Sequence, residues 1–168
     1  QFVWRKGLPG SGTQADTAKI TIETDEGVTG VSYSGHGAIV NVASIHASAT
    51  LPGFFPYGAA KAGLVGLTRN MALDYGPWGV RANAVCPGFT RTRLVQESID
   101  RNPDPAAAEA AMVGGVALGR IAEPAEVASA VAFLASADAS YVTGAALYVD
   151  GQAAGLGRAG AGGEGGVQ

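Results

Sequence analysis

The sequence has a single cysteine, Cys86, among 168 residues, which excludes an internal disulfide and any cysteine-based zinc site. Its two histidines, His36 and His46, have no paired carboxylates around them, so no metal site is expected. Charge is scarce, at 15% of residues with a net −3, and no basic stripe exists, which argues against a nucleic-acid partner. Apolar runs are short and broken by glycine, so no segment reads as a membrane span. No charged stretch leads into an apolar run of the secretory kind. These absences together predict a soluble cytoplasmic chain.

What is present is apolar material, 47% of the residues, enough for a packed core in one domain's length. Three zones follow. Residues 1–37 are rich in Gly and Thr. Within them Lys19–Thr24 and Val28–Tyr33 alternate apolar and polar residues around Asp25-Glu26-Gly27, the pattern of a β-hairpin. Residues 38–151 are denser in regular patterns. Residues 152–168 are Gly-rich, low in complexity and expected to be disordered.

The middle zone alternates strands and helices. Gly37–Ala43 is a continuous apolar run, as in a strand buried on both faces. Tyr57–Tyr75 is helical, with Ala60, Leu64, Leu67 and Met71 recurring on one face and Gly76-Pro77 as the stop. Val80–Val85 is a second strand, ended by Pro87-Gly88. Glu123–Ala135 is a helix with Pro124 in its first turn, and Ala145–Val149 is a third strand. The alternation predicts an α/β fold with a parallel sheet. Ligands bind such sheets beyond the carboxyl ends of the strands.

Tyr57 and Lys61 stand four apart, on one face of the first helix. A free phenol is almost wholly protonated at neutral pH, and an ammonium one turn away favours its ionised form. The pair suits proton transfer between a carbonyl and an alcohol. Ser44, just beyond the first buried strand, could hydrogen-bond the same oxygen. On the pair alone a second reading stands, a half-buried tyrosine beside a solvated lysine.

The stretch GAIVNVAS, twelve residues, then YGAAKAGLVGLTRNMALDYGPWGVRANAVCPGFTRT closely resembles the short-chain dehydrogenase/reductase family. So does GRIAEPAEVASAVAFLASADASYVTGAALYVDG, and the resemblance spans about residues 35–151. It implies a Rossmann-like, doubly wound sheet and an NAD(P)-dependent oxidoreductase acting on a small alcohol or carbonyl substrate, in a homo-oligomer. It implies Ser44, Tyr57 and Lys61 as catalytic residues, with Tyr57 and Lys61 also against the nicotinamide ribose. It implies Pro87, Gly88, Phe89, Thr90 and Thr92 around the nicotinamide. Gln152 stands where the family usually has a second glycine after Asp150-Gly151.

The family's opening strand, Gly-rich turn and helix have no counterpart before Gly35, nor does its later Asn-bearing helix. The expectation is therefore a truncated fold without the first mononucleotide-binding half, and no residue to choose NAD over NADP. Gly10, Gly12 and Ala15 fit a phosphate-loop pattern but follow no adequate strand, and read as a surface loop. Residues 2–33 instead resemble the capping-domain start of an enolase-superfamily sugar-acid dehydratase of the mandelate-racemase group. Enzymes of these two kinds can serve one sugar-degradation route, which points to a sugar or polyol substrate. The alternative is an inactive truncated or fused remnant. His46 reads either as a substrate contact or as a loop residue in water, and residues 93–118 either as a lid or as plain surface helix.

Overall fold

The computed structural model describes residues 18–23, 29–34 and 37–153 of the chain. Strands β1 (Ala18–Glu23) and β2 (Thr29–Ser34) pair antiparallel, with Ala18 opposite Ser34 and Glu23 opposite Thr29. These are the two arms of the expected hairpin. Its Asp25-Glu26-Gly27 turn lies outside the described residues, as do residues 1–17 and the Gly-rich tail beyond Ala153.

The remaining strands form a separate parallel sheet in the order β3 (Ala38–Val42), β4 (Arg81–Pro87), β5 (Ala146–Val149). Ala38 pairs with Arg81 and Val42 with Val85, and β4 pairs with β5 from Ala84 opposite Ala146 to Pro87 opposite Val149. Helix α1 (Phe55–Tyr75) crosses from β3 to β4. Helices α2 (Arg93–Asp100), α3 (Pro105–Val113) and α4 (Pro124–Ala135) cross from β4 to β5. Among the described residues no helix is long and apolar enough to cross a membrane.

The period of two along each strand sorts side chains between two helix layers. Ile39 and Ala82 pack on Met71 and Ala72 of α1, and Ala43, Ala84 and Cys86 pack on Val65. On the opposite face Val40 and Val85 pack on Leu134 of α4. Both faces of the sheet thus carry packed side chains, which is why the β3 segment reads as a largely apolar run. Leu134 and Val85 are among the fully buried side chains, and truncating such a residue to Ala typically costs about 2–5 kcal/mol.

Two boundaries differ from expectation by two residues, the others by one at most, and one helix face differs. Helix α1 begins at Phe55, because Pro56 fits a first helical turn, where its missing N–H is not needed. Strand β4 continues to Pro87, its last residue. The buried stripe of α1 is Gly58, Val65, Thr68, Met71 and Ala72, while Ala60 and Leu67 are exposed. This helix is apolar nearly all round, so its periodicity does not single out a face. A polar contact does, as Asn41 of β3 donates to Thr68 Oγ1 at 2.9 Å and Thr68 donates to the Leu64 carbonyl.

Candidate active site

The expected site residues lie after β3 (Ser44), on the first turns of α1 (Tyr57, Lys61) and at and after the end of β4 (Pro87 to Thr92). Ser44 follows β3 with extended backbone (φ −167°, ψ 160°) and opens a 3₁₀ turn over Ile45–Ala47. Its buried Oγ accepts the His46 backbone N–H at 3.2 Å. Ile45, also buried, anchors that turn in the core.

Tyr57 lies in the first turn of α1, 44% exposed, and its hydroxyl makes no hydrogen bond within the described residues. One turn on, Lys61 Nζ stands 5.5 Å from the centre of the Tyr57 ring and donates to the Val42 carbonyl at 3.1 Å. The proximity of Tyr57 and Lys61 expected from their spacing is present. Ser44 is joined to Tyr57 by no direct hydrogen bond, but through His46. The His46 ring meets the Tyr57 ring edge-on, centroids 5.4 Å apart and planes at 77°. It also stacks on Phe54 at 4.9 Å and 23°. His46 is thus a packed ring, not a loop residue in open water. Burial lowers its pKa below the ordinary imidazole value of 6.5, so the ring is neutral at physiological pH. Nothing in the sequence marked Phe54 or Thr50 as its partners.

The Pro87-Gly88 turn closes β4. A side chain on Gly88 would place a Cβ 2.9 Å from Asp150 Cα, so glycine permits the end of β5 to pass beside this turn. Thr90 donates to the Gly88 carbonyl at 3.2 Å, and Thr92 Oγ1 accepts the Val95 N–H as the N-cap of α2. Phe89 accepts the Ala122 N–H through its carbonyl. A cavity of about 440 Å³ opens between the loop 116–122 and the end of β5, lined by Phe89, Leu118, Tyr148 and Asp150 among others. Of the expected site residues, Phe89 alone borders it. Beyond the turn, Arg91 binds Gln96, Glu109 and Glu123, tying α2 and α3 to the start of α4.

A nicotinamide cofactor fits what these residues leave available. Lys61 uses one of its three donors on Val42, so two remain for ribose hydroxyls. Thr92 accepts a bond as N-cap and retains its own proton for a carboxamide oxygen. No group of three or more potential metal ligands exists among the described residues.

Fold and site together define a Rossmann-like α/β protein with a Ser, Tyr and Lys at the carboxyl edge of its parallel sheet. A family model described as enoyl-(acyl carrier protein) reductase matches residues 28–152. Cis-4-hydroxycyclohexanecarboxylate dehydrogenase of Sinomonas cyclohexanicum is 47% identical over 121 residues, 72% of this chain and 46% of that protein. Cyclohexanol dehydrogenase of an Acinetobacter species is 44% identical over 124 residues, 74% of this chain and 46% of that protein. The ligand-free structure of aldohexose dehydrogenase from Thermoplasma acidophilum superposes with a TM-score of 0.66 at 40% identity, covering 71% of this chain and 48% of that one. The chain belongs to the short-chain dehydrogenase/reductase family, and it spans about half the length of the curated relatives it matches.

Proposed function

We propose that the protein is an NAD(P)-dependent oxidoreductase that interconverts a secondary or primary alcohol and its carbonyl, with Tyr57 as general acid and base. The observation that carries this reading is a half-exposed Tyr57, its hydroxyl without a hydrogen bond among the described residues, with the Lys61 ammonium beside its ring at the sheet's carboxyl edge. The bound nicotinamide supplies or takes the hydride at the substrate carbon. In the reducing direction Tyr57 gives its hydroxyl proton to the carbonyl oxygen, and the Lys61 cation stabilises the phenolate left behind. Solvent then reprotonates Tyr57, which closes the proton balance. Ser44 anchors the same oxygen by hydrogen bond, and His46 lies against the substrate. Lys61, together with Pro87, Gly88, Phe89, Thr90 and Thr92, would hold the ribose and nicotinamide.

The substrate is a small alcohol or carbonyl compound, with sugars and polyols in the same class as the relatives' hexoses and cyclohexanols. Self-association and a cytoplasmic location belong to the same reading. The exposed Leu67 and Leu73 leave apolar surface on α1 that suits the former. Residues 1–37 are read as a segment foreign to the dehydrogenase fold, with the family model's match reaching back into it as far as residue 28. Among the described residues β1 and β2 pair with each other and with no other strand, which supports the division.

The test is turnover of the purified protein with NADH and NADPH against aldoses, cyclic ketones and polyols. Tyr57→Phe should lower kcat about 10²–10⁴-fold, the usual contribution of a general acid. Unchanged turnover in that variant, or saturable binding of neither nucleotide, would overturn the proposal.

A further inference from the structure

His46 touches both ends of the expected proton-transfer machinery. Its backbone N–H donates to Ser44 Oγ, and its ring abuts the ring of Tyr57. Three contacts restrain that ring. Nδ1 lies 2.8 Å from Thr50 Oγ1, one face stacks on Phe54, and the third contact is Tyr57 itself. The support beneath is equally close. A Cβ on Gly58 would lie 3.4 Å from both the His46 carbonyl and Thr50 Oγ1, so the turn carrying His46 rests directly on the first turn of α1. The fold thus couples the loop after β3 to the helix bearing Tyr57 by this backbone contact, and to the Tyr57 side chain through the imidazole.

We propose that His46 is a positioning residue: held by Thr50 and Phe54, its ring fixes the orientation of the Tyr57 side chain relative to Ser44. This role rests on the reading of Tyr57 as the acid/base. Even with the imidazole in place Tyr57 is 44% exposed, and among the described residues its hydroxyl makes no hydrogen bond that would limit its rotamers. Displacing a reacting group by about 1 Å can cost about a hundredfold in rate. Being neutral, the imidazole sets this geometry without placing a second cation beside Lys61.

The proposal separates from a general packing role by two readouts on the full chain. The first is the ring resonances of Tyr57, assigned with Tyr57→Phe and followed in His46→Ala without any nucleotide or substrate. They should shift and show averaged rotamers, whereas His46→Phe, which keeps the aromatic contacts, should restore most of the native pattern. The second is kinetic. His46→Ala should lower kcat about ten- to a hundredfold while the KM for NADH or NADPH changes less than about twofold, and His46→Phe should recover most of kcat. Thr50→Val, a milder surface change, should move both readouts in the same direction and serves if His46→Ala does not fold. Unmoved Tyr57 resonances in the folded variants would overturn the proposal, as would a loss confined to nucleotide KM. Shifted resonances with turnover indifferent to Tyr57→Phe would leave the positioning intact and remove the acid/base reading instead.

Discussion

Lys61 Nζ donates to the carbonyl of Val42, so the cation on α1 is tied to the last residue of β3. Val42 is itself 47% exposed, and water can take over its carbonyl when the lysine is lost.

Lys61→Met should therefore change stability by less than about 1 kcal/mol, as surface contacts of this kind do. Turnover should fall by about a hundredfold or more, because both the cation beside Tyr57 and the donors toward the ribose are removed. Denaturant unfolding and steady-state kinetics on the same preparation check the two halves. A stability loss as large as the activity loss would show Lys61 to be structural.

Gly88 and Gln152 predict opposite signs. Gly88→Ala would force its Cβ within 2.9 Å of backbone at Asp150, and overpacking of this type costs about 1–3 kcal/mol. Gln152 has φ 59°, the left-handed region that side chains resist, although its N–H is held by Asp150 Oδ1. Gln152→Gly should raise stability by about 1 kcal/mol. Thermal or chemical denaturation reads both. The sequence-level departure from the family's usual glycine is thus a conformational cost and not a neutral exchange.

Glu126 provides a pH dependence. Its hydrogen bonds with the Arg120 guanidinium and then with the Glu123 backbone N–H hold its pKa down, from an ordinary 4.5 to about 2. The folded value lies below the unfolded one, so the contribution is complete above about pH 4.5 and is lost as pH falls toward 2. The gap in melting temperature between the native protein and Glu126→Gln should be constant from pH 6 to 8 and close over that acid window. The pair is exposed, so added salt should narrow the gap at neutral pH.

Arg81 is the fourth test. From β4 its guanidinium donates to the carbonyls of Leu134, Ser136 and Val142, and α4 has no basic residue in its own last turn. Arg81→Met should cost about 2 kcal/mol by taking the donor from the Leu134 and Ser136 carbonyls at the helix's negative end, while the Val142 carbonyl keeps Asn83 Nδ2. Urea midpoints will show it, and a shift under 0.5 kcal/mol would mean solvent replaces the guanidinium.

The sequence made these features legible to different degrees, for physical reasons. β3 is read from its apolar run, since both faces of the sheet are packed, while β4 and β5 are read as short strand segments between helical patterns, β4 ending at Pro87-Gly88. The Tyr57–Lys61 proximity is read because helical spacing is a local property. The buried face of α1 is not legible, since Gly58 and Thr68 occupy it while Leu67 points outward. Arg81 reaches carbonyls 53 to 61 positions away, and no local pattern encodes such a contact. The surroundings of His46 are assembled by a 3₁₀ turn whose only local sign is Ser44 as its cap. The lid reading of residues 93–118 is met by two short helices, each capped by its own residue, Thr92 and Asp104.

Cys86 sits in the middle strand of the sheet with no solvent exposure, its thiol pKa pushed up by burial and its neighbours the Tyr148 hydroxyl and the Ser44 backbone. It is the only sulfhydryl in the chain. Modification of the thiol must therefore wait for β4 to part from its neighbours, and every modified molecule records one such event. When reclosing outpaces the reagent, the labelling rate reports the free energy of that opening; when it does not, the rate is that of opening itself. A single chromophoric disulfide reagent thus turns the core of this sheet into its own kinetic clock, with no engineered probe.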